Sequence, residues 1–451
     1  MLSFAFHGRR QVEKNFLFPS CEQNKQQTKI DRSRKCFWPI FFLKKSDGKI
    51  FHTYEKKREK GAKKERMKFL HLGDLHLGKS LGDFSLIEDQ RYILNKICSI
   101  AEEKKVDAIC IAGDVYDKAV PSEAAVNLLD EFLNRLAEQK IVCYIISGNH
   151  DSDERLNFAS RLLRGKGIYI AAKYQGKLEK ETFQDAYGKV NIYLLPYIKA
   201  SLVRHYFPEE KIESYEDAVR LILEKAEIDP KERNIILAHQ FVAGKGSDPE
   251  LAGSEGMGSL NVGQVEKIGY DCFTSFDYAA LGHIHSPQKV GREAVRYSGS
   301  PLKYSLSEVN NKKSLPLVTL EKKGKTEIEL LPLEPLRDLR HLKGKREKLL
   351  AAENIVDRDD FIYITLTDED FLNDAMGIFQ QYYPNTVKID YENSHTRELR
   401  DLDPAEFAEE RSLEDILSDF YEQVYGVEIS EEEKELLMEA AGEAGVVDEA
   451  N

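Results

Sequence analysis

Cysteine is scarce in this 451-residue chain: there are six, and no two form a C-x-x-C pair. That excludes a disulfide scaffold and a cysteine zinc finger, and it points to a reducing compartment such as the cytoplasm. No apolar run approaches the roughly 20 residues a membrane helix needs. The segment CFWPIFFL at 36–43 is too short and holds a proline. No secretory layout of charged start, apolar run and cleavage site is present. No G-x-x-x-x-G-K-[ST] loop occurs, so ATP binding must reside on another chain. Internal repeats are absent too.

What is there suffices for a large core, with 41% hydrophobic and 10% aromatic residues, and the length suggests two or three domains. The net charge of −13 is unevenly spread. Residues 1–66 hold 18 Lys+Arg against 7 Asp+Glu, whereas 401–451 hold 18 acids and 2 bases. Such acidity beyond residue 66 excludes a general nucleic-acid binder; any DNA contact must use a local basic surface, bound metal or a partner.

Residues 1–66 are expected to be a disordered basic extension, with Met67 as the natural start. From Met67 to about 305 lie short β-branched or aromatic runs at 67–74, 106–114, 141–151, 190–197, 233–240 and 276–285, four of them ending in Asp or His. They read as buried strands emptying into polar loops, separated by helices such as 122–139. The pattern predicts an α/β domain with its site at the strands' carboxyl ends. Residues 293–333 turn all-strand, with a hairpin near Gly324. A β-α-β unit follows (strand 361–366, helix 370–383, strand 386–392). The tail from 401 is acidic and helical, with Leu413, Ile416, Leu417 and Phe420 on one face. The glycine-rich loop 243–263 reads as a flexible wall of a substrate cleft.

Five motifs close five of these strands: GDLHLG (73–78), GDVYD (113–117), GNHD (148–151), AHQ (238–240) and GHIH (282–285). They offer carboxylate, imidazole and amide donors without thiolate, a set that suits Mn²⁺, Fe²⁺ or Zn²⁺. Asp74, His76 and His285 would hold one ion and Asn149, His239 and His283 a second. Asp114 would bridge them, both its oxygens being available to ions about 3.5–4 Å apart. The His-x-His spacing needs an irregular turn, with Gly282 supplying the bend. His150 would steady the transition-state phosphate or protonate the leaving oxygen. Asp151 would orient His150. A lone Gly-Asp at a strand end is usually a turn, a lone buried histidine is usually core, and Asp117 and Asp151 read equally well as helix caps. The recurrence of five such motifs at five strand ends outweighs those readings. His7, His52, His71, His205, His341 and His395 have no such context.

These motifs resemble the calcineurin-like metallophosphoesterase superfamily, over roughly 67–305. That likeness implies a two-sheet β-sandwich flanked by helices. GDVYDKAVPS (113–122), FDYAALGHIHSPQ (276–288) and YSGSPLKYSLSE (297–308) further resemble the SbcD family of nuclease subunits. The narrower resemblance implies a Mn²⁺-dependent nuclease, 3′-to-5′ exonucleolytic on duplex DNA and endonucleolytic on hairpins or single strands. It maps metal ligands onto Asp74, His76, Asp114, Asn149, His239, His283 and His285, and a catalytic role onto His150. It implies an SbcC-like, SMC-type ATPase partner and a homodimer within a heterotetramer. Candidate dimer helices are 122–139 and 154–164, through Leu128, Phe132, Leu156 and Leu162, although those positions could equally pack on the sheet. The segment 306–400 becomes a β-hairpin connection and a small β-α-β capping domain, and the helical tail 401–451 the candidate ATPase-binding segment. A protein phosphatase of this fold would carry Asp-Arg-Gly after the second motif and GNHE as the third; here stand Asp117-Lys118-Ala119 and Asp151. A small-nucleotide phosphodiesterase would rarely need the cap, and a non-catalytic scaffold would have lost ligands.

Overall fold

The computed structural model describes residues 65–244, 248–251, 267–394 and scattered positions between 417 and 438. Expectations for residues 1–64, most of the loop 243–263 and most of the acidic tail fall outside these. The strands that carry the motifs are buried on both faces, as parallel strands covered on both sides must be.

Two six-stranded sheets form the body. The first runs Thr326–Pro332, Ser314–Leu320, Met67–Leu72, Ala108–Ala112, Val142–Ile146, Ile168–Ala171 in spatial order. The last four of these strands are mutually parallel. The second runs Gln288–Val290, Arg292–Tyr297, Tyr278–Gly282, Arg233–His239, Gly188–Leu195, Glu179–Asp185, parallel at its centre. Side-chain alternation decides how the sheets assemble. Phe69, Cys110, Tyr144 and Ile146 of the first sheet meet Ile192, Leu194, Ile235, Leu237 and Tyr278 of the second in one core. The intervening residues face outward under helices: Leu70, Ile109, Ile111 and Ile145 pack against Ile97, Phe132 and Leu136. On the other side Tyr193, Ile236 and Leu281 pack against Val203, Val219 and Ile222. The architecture is the helix-flanked two-sheet sandwich.

The helix Glu123–Gln139 buries Ala125, Leu128, Leu129, Phe132, Leu133 and Leu136, and the Ser122 hydroxyl caps it by accepting the Ala125 amide. Leu128, Phe132 and Leu156 are therefore spent on the chain's own core. Of the four positions expected at a dimer face only Leu162 is exposed, beside Phe158. The helix expected over 154–164 is two single turns, Asp153–Leu156 and Ser160–Leu163, separated at Ala159 by a left-handed backbone (φ 58°). The 314–332 hairpin, expected to be a connection, instead completes the first sheet: Ser314–Leu320 pairs antiparallel with Met67–Leu72. Beyond it lies a third, all-parallel sheet, Leu339–Gly344, Phe361–Leu366, Thr386–Tyr391. It has one more strand than expected, and its helix is the short Ala375–Gln380 rather than 370–383. No helix among the described residues is long and apolar enough to cross a membrane.

Candidate metal centre

In the second sheet Gly282 lies beside His239, and in the first Ala112 lies beside Ile146. The carboxyl ends of five parallel strands, three from one sheet and two from the other, thus open onto the same edge of the sandwich. The backbone turns abruptly there. Asp74, His76, Asp114 and His283 all have positive φ (53°, 42°, 48° and 107°), conformations that side-chain-bearing residues rarely adopt and that concentrate at functional sites. The bend in GHIH sits on His283 and not on Gly282. Gly282 is glycine for another reason: a Cβ there would come within 1.9 Å of the Ala112 carbonyl oxygen. Gly113 combines a φ of +87° with a close approach to the His239 ring.

All seven expected ligands meet at this edge. The Nε2 atoms of His76 and His285 face each other at 3.1 Å. Donors to one first-row cation bond at about 2.0–2.2 Å and so stand about 3 Å apart. Asp74 Oδ1 accepts the His283 amide at 2.8 Å, while its Oδ2 is fully buried without a hydrogen-bond partner. An orphaned buried carboxylate oxygen is costly unless a cation completes it. Asp114 is used asymmetrically: Oδ1 accepts the backbone amide of His150 (2.9 Å), and Oδ2 lies 3.3 Å from His239 Nε2 and 3.6 Å from His76 Nε2. The atom positioned between the two halves is Oδ2 alone, not one oxygen for each ion. Asn149 Oδ1 lies 3.0 Å from both His239 Nε2 and His283 Nδ1. Ligand atoms of Asp74, His76 and His285, and of Asp74, Asp114 and His239, fall within 4.8 Å of one another. The donor set fits two divalent cations.

The electrostatics are those of a pocket built for added positive charge. Burial pushes the Asp74 carboxyl up to about 6, the nearby imidazoles offsetting only part of that. Burial opposes ionisation of Asp114 as well, but the facing His239 holds it well below the usual carboxylate range. Conversely, burial works against the His239 imidazolium, yet Asp114 overrides it and the group rises to about 9. Burial lowers His76 to about 4.

His150 lies at the rim, its ring 4.8 Å from that of His76. Its Nδ1 meets the Asp117 carbonyl oxygen at 3.0 Å, which directs Nε2 towards the pocket. Asp151 does not orient it. The Asp151 carboxylate accepts the amides of Val115, Tyr116 and Gly148, stapling the second motif's loop to the third's. Asp117 takes the orienting place, and its side chain also lies 3.5 Å from His76 Nδ1 and 2.8 Å from Lys79. Gln90 fixes the first loop by donating to the His76 carbonyl (2.8 Å) and accepting the Gly78 amide (2.9 Å). The Tyr304 hydroxyl donates to the Leu75 carbonyl. Nothing in spacing distinguishes Gln90, since it sits inside an ordinary amphipathic helix.

Fold and site together define a metallophosphoesterase. A family model described as calcineurin-like phosphoesterase matches residues 67–287, and one described as Type 5 capsule protein repressor C-terminal domain matches 335–425. The SbcD subunit of the nuclease SbcCD from Staphylococcus epidermidis is 35% identical over 328 residues, covering 72% of this chain and 85% of that protein. The chain belongs to the SbcD family of calcineurin-like phosphoesterases. Among solved structures, a dimetal phosphatase from Danio rerio aligns with 60% of this chain and all of its own, at 10% identity and a TM-score of 0.34, too low to carry weight.

Proposed function

We propose that this chain is the nuclease subunit of an SbcCD-type complex and hydrolyses DNA phosphodiester bonds with two divalent cations, Mn²⁺ being the ion of choice. The observation that carries the reading is the convergence of seven oxygen- and nitrogen-bearing side chains at one edge, with Asp74 Oδ2 buried there and lacking a hydrogen-bond partner. Asp74, His76 and His285 would hold one ion and Asn149, His239 and His283 the other, with Asp114 between the two sets. When bound, such a pair supplies Lewis acidity to the phosphoryl oxygens and acidifies a water. The chain's own groups do the rest. Asp74 and Asp114 bring the negative charge, the rigid loop backbones fix the donors, and His150, steadied by the Asp117 carbonyl, presents Nε2 to the phosphate or the leaving oxygen. No side chain is needed as a covalent nucleophile.

By the same reading, DNA is degraded 3′ to 5′ from duplex ends and cut at hairpins or single strands. The catalytic unit is 67–305 extended by the 314–332 hairpin, the third sheet is the cap, and 401–451 engages an SbcC-like, SMC-type ATPase. A second copy docks on the region of 122–139 and 154–164, where Leu162 is the expected position left exposed. A cytoplasmic setting suits the four free cysteines among the described residues. The test is Mn²⁺-dependent digestion of a hairpin-ended duplex with and without the co-purified ATPase. Release of nucleotides or hairpin opening is expected. Turnover of phosphomonoesters in place of DNA would make the chain a small-molecule phosphatase.

A further inference from the structure

The segment YSGSPLKYSLSE contributes none of the seven ligands, yet its last residue reaches the pocket. Glu308 closes the single 3₁₀ turn Leu306–Glu308 and is completely buried. Its Oε1 lies 3.3 Å from His285 Nδ1 and accepts the Tyr304 amide at 3.2 Å. Its Oε2 takes the ammonium of Lys313, itself buried just ahead of the hairpin's first strand. Lys313 Nζ also donates to the His285 carbonyl (2.9 Å) and to Ser300 Oγ (2.7 Å), and the Ser300 amide donates to the same His285 carbonyl at 3.1 Å. His285 is therefore gripped twice by one Glu–Lys unit, at the ring through Glu308 and at the backbone through Lys313.

A buried ion pair is expensive to maintain, and a hydrophobic pair of similar volume would often serve stability as well or better. Its placement accounts for the expense. With Nδ1–H donated to Glu308, the imidazole is held in the tautomer that leaves the Nε2 lone pair directed at His76 Nε2 and Asp74, where a cation would lie. We infer that Glu308, locked by Lys313, is a positioning residue for the ligand His285 and sets the affinity of the cation held by Asp74, His76 and His285. The inference rests on the two-cation reading given above.

The test uses the full chain. Mn²⁺ binding is measured by calorimetry, DNA cleavage is resolved into kcat and KM over a range of Mn²⁺, and melting of the cation-free protein reports folding. Glu308→Gln should weaken one of the two Mn²⁺ sites about 10- to 100-fold, the usual cost of losing such a support, and leave the other unchanged. Excess Mn²⁺ should restore kcat, with KM for DNA unaffected, and Glu308→Asp should recover part of the affinity. Because Glu308→Gln strands the Lys313 ammonium, the double variant Glu308→Gln/Lys313→Met is made in parallel. It removes both charges and should fold while showing the same single-site loss. Both sites at native affinity in a folded single or double variant would overturn the inference. If instead the unaltered chain bound fewer than two Mn²⁺, or left DNA intact, the two-cation nuclease reading itself would fall.

Discussion

The two halves of the cation pocket each contribute two imidazoles but are supported differently. In the half formed by Asp74, His76 and His285, Glu308 hydrogen-bonds His285 Nδ1 at 3.3 Å and Asp117 stands 3.5 Å from His76 Nδ1, a charge neighbour rather than a hydrogen bond; each carboxylate is paired with a lysine, Asp117 with Lys79 and Glu308 with Lys313. In the half formed by Asn149, His239 and His283, His239 Nδ1 hydrogen-bonds the Ala112 backbone carbonyl at 2.8 Å, with Asp74 Oδ1 farther off at 3.9 Å, and His283 turns its own Nδ1 inward towards Asn149. A carboxylate raises the basicity of the ring it supports and fixes its tautomer more firmly than a neutral carbonyl does. Asp74 adds its charge to the first half, although it also lies near His239, whereas the second half's own oxygen donor is a neutral amide. The difference teaches that two pairs of imidazoles need not make equal sites: the first half should bind its cation tightly, and the second should exchange.

The largest effect should come from removing what the halves share. Asp114→Asn keeps the shape but takes away the charge whose Oδ2 faces an imidazole of each half, and a loss of several kcal/mol of electrostatic stabilisation corresponds to a fall of about 10³-fold or more in DNA cleavage. A single-turnover assay at saturating Mn²⁺ checks this. Cleavage within about tenfold of the parent would mean that Asp114 does not bridge. Next comes His150→Ala, expected to lower kcat by about 10²-fold while both cations still bind. If calorimetry found a cation lost as well, His150 would be a third imidazole of the first half, consistent with its lying within 4.8 Å of ligand atoms of His76 and Asp114.

The asymmetry itself is tested by crippling one half at a time. His239→Ala should leave one tightly held Mn²⁺, and His76→Ala one loosely held, the remaining sites differing about 10- to 100-fold in affinity. Equal remaining affinities would abolish the distinction.

The seven candidate donors that meet at this edge are legible in the sequence, whereas the groups packed behind them are not. Strands buried on both faces read as apolar runs, and their polar ends mark where donors emerge; that exposes Asp74, Asp114, Asn149, His239 and His283 without a structure. Helix Glu123–Gln139 was equally plain from its three- and four-residue spacing. Supports escape because they act across the fold. Asp117 and Asp151 are both carboxylates just past a strand, and only coordinates tell which faces a ring and which collects amides. Glu308 follows no strand, and Lys313 belongs to a hairpin whose partner strand begins some 250 residues earlier, a pairing no local pattern encodes. Leu339–Gly344 was missed because only Leu339 and Leu342 are apolar in it, and its burial comes from a neighbour it meets in parallel. The break at Ala159 interrupts a stretch whose periodicity reads as continuous.

Per pH unit, the smallest effect is also the one that separates the halves without any substitution. Cation and proton compete for the same atoms, so a site whose ligand is protonated in the cation-free protein gains affinity as pH rises to that ligand's pKa. His239, raised to about 9 by Asp114, must shed a proton before Nε2 can bind. His76, lowered to about 4 by burial, is already neutral. Asp74, raised to about 6 by burial, is ionised above that value. Between pH 6 and 9 the second half should therefore gain about tenfold in Mn²⁺ affinity per pH unit while the first stays level, falling off only below pH 6 as Asp74 takes up its proton. Calorimetry at pH 7.5 in two buffers of different ionisation enthalpy should find about one proton released by the weaker cation and about none by the tighter. Release by the tighter cation would reverse the assignment of the halves.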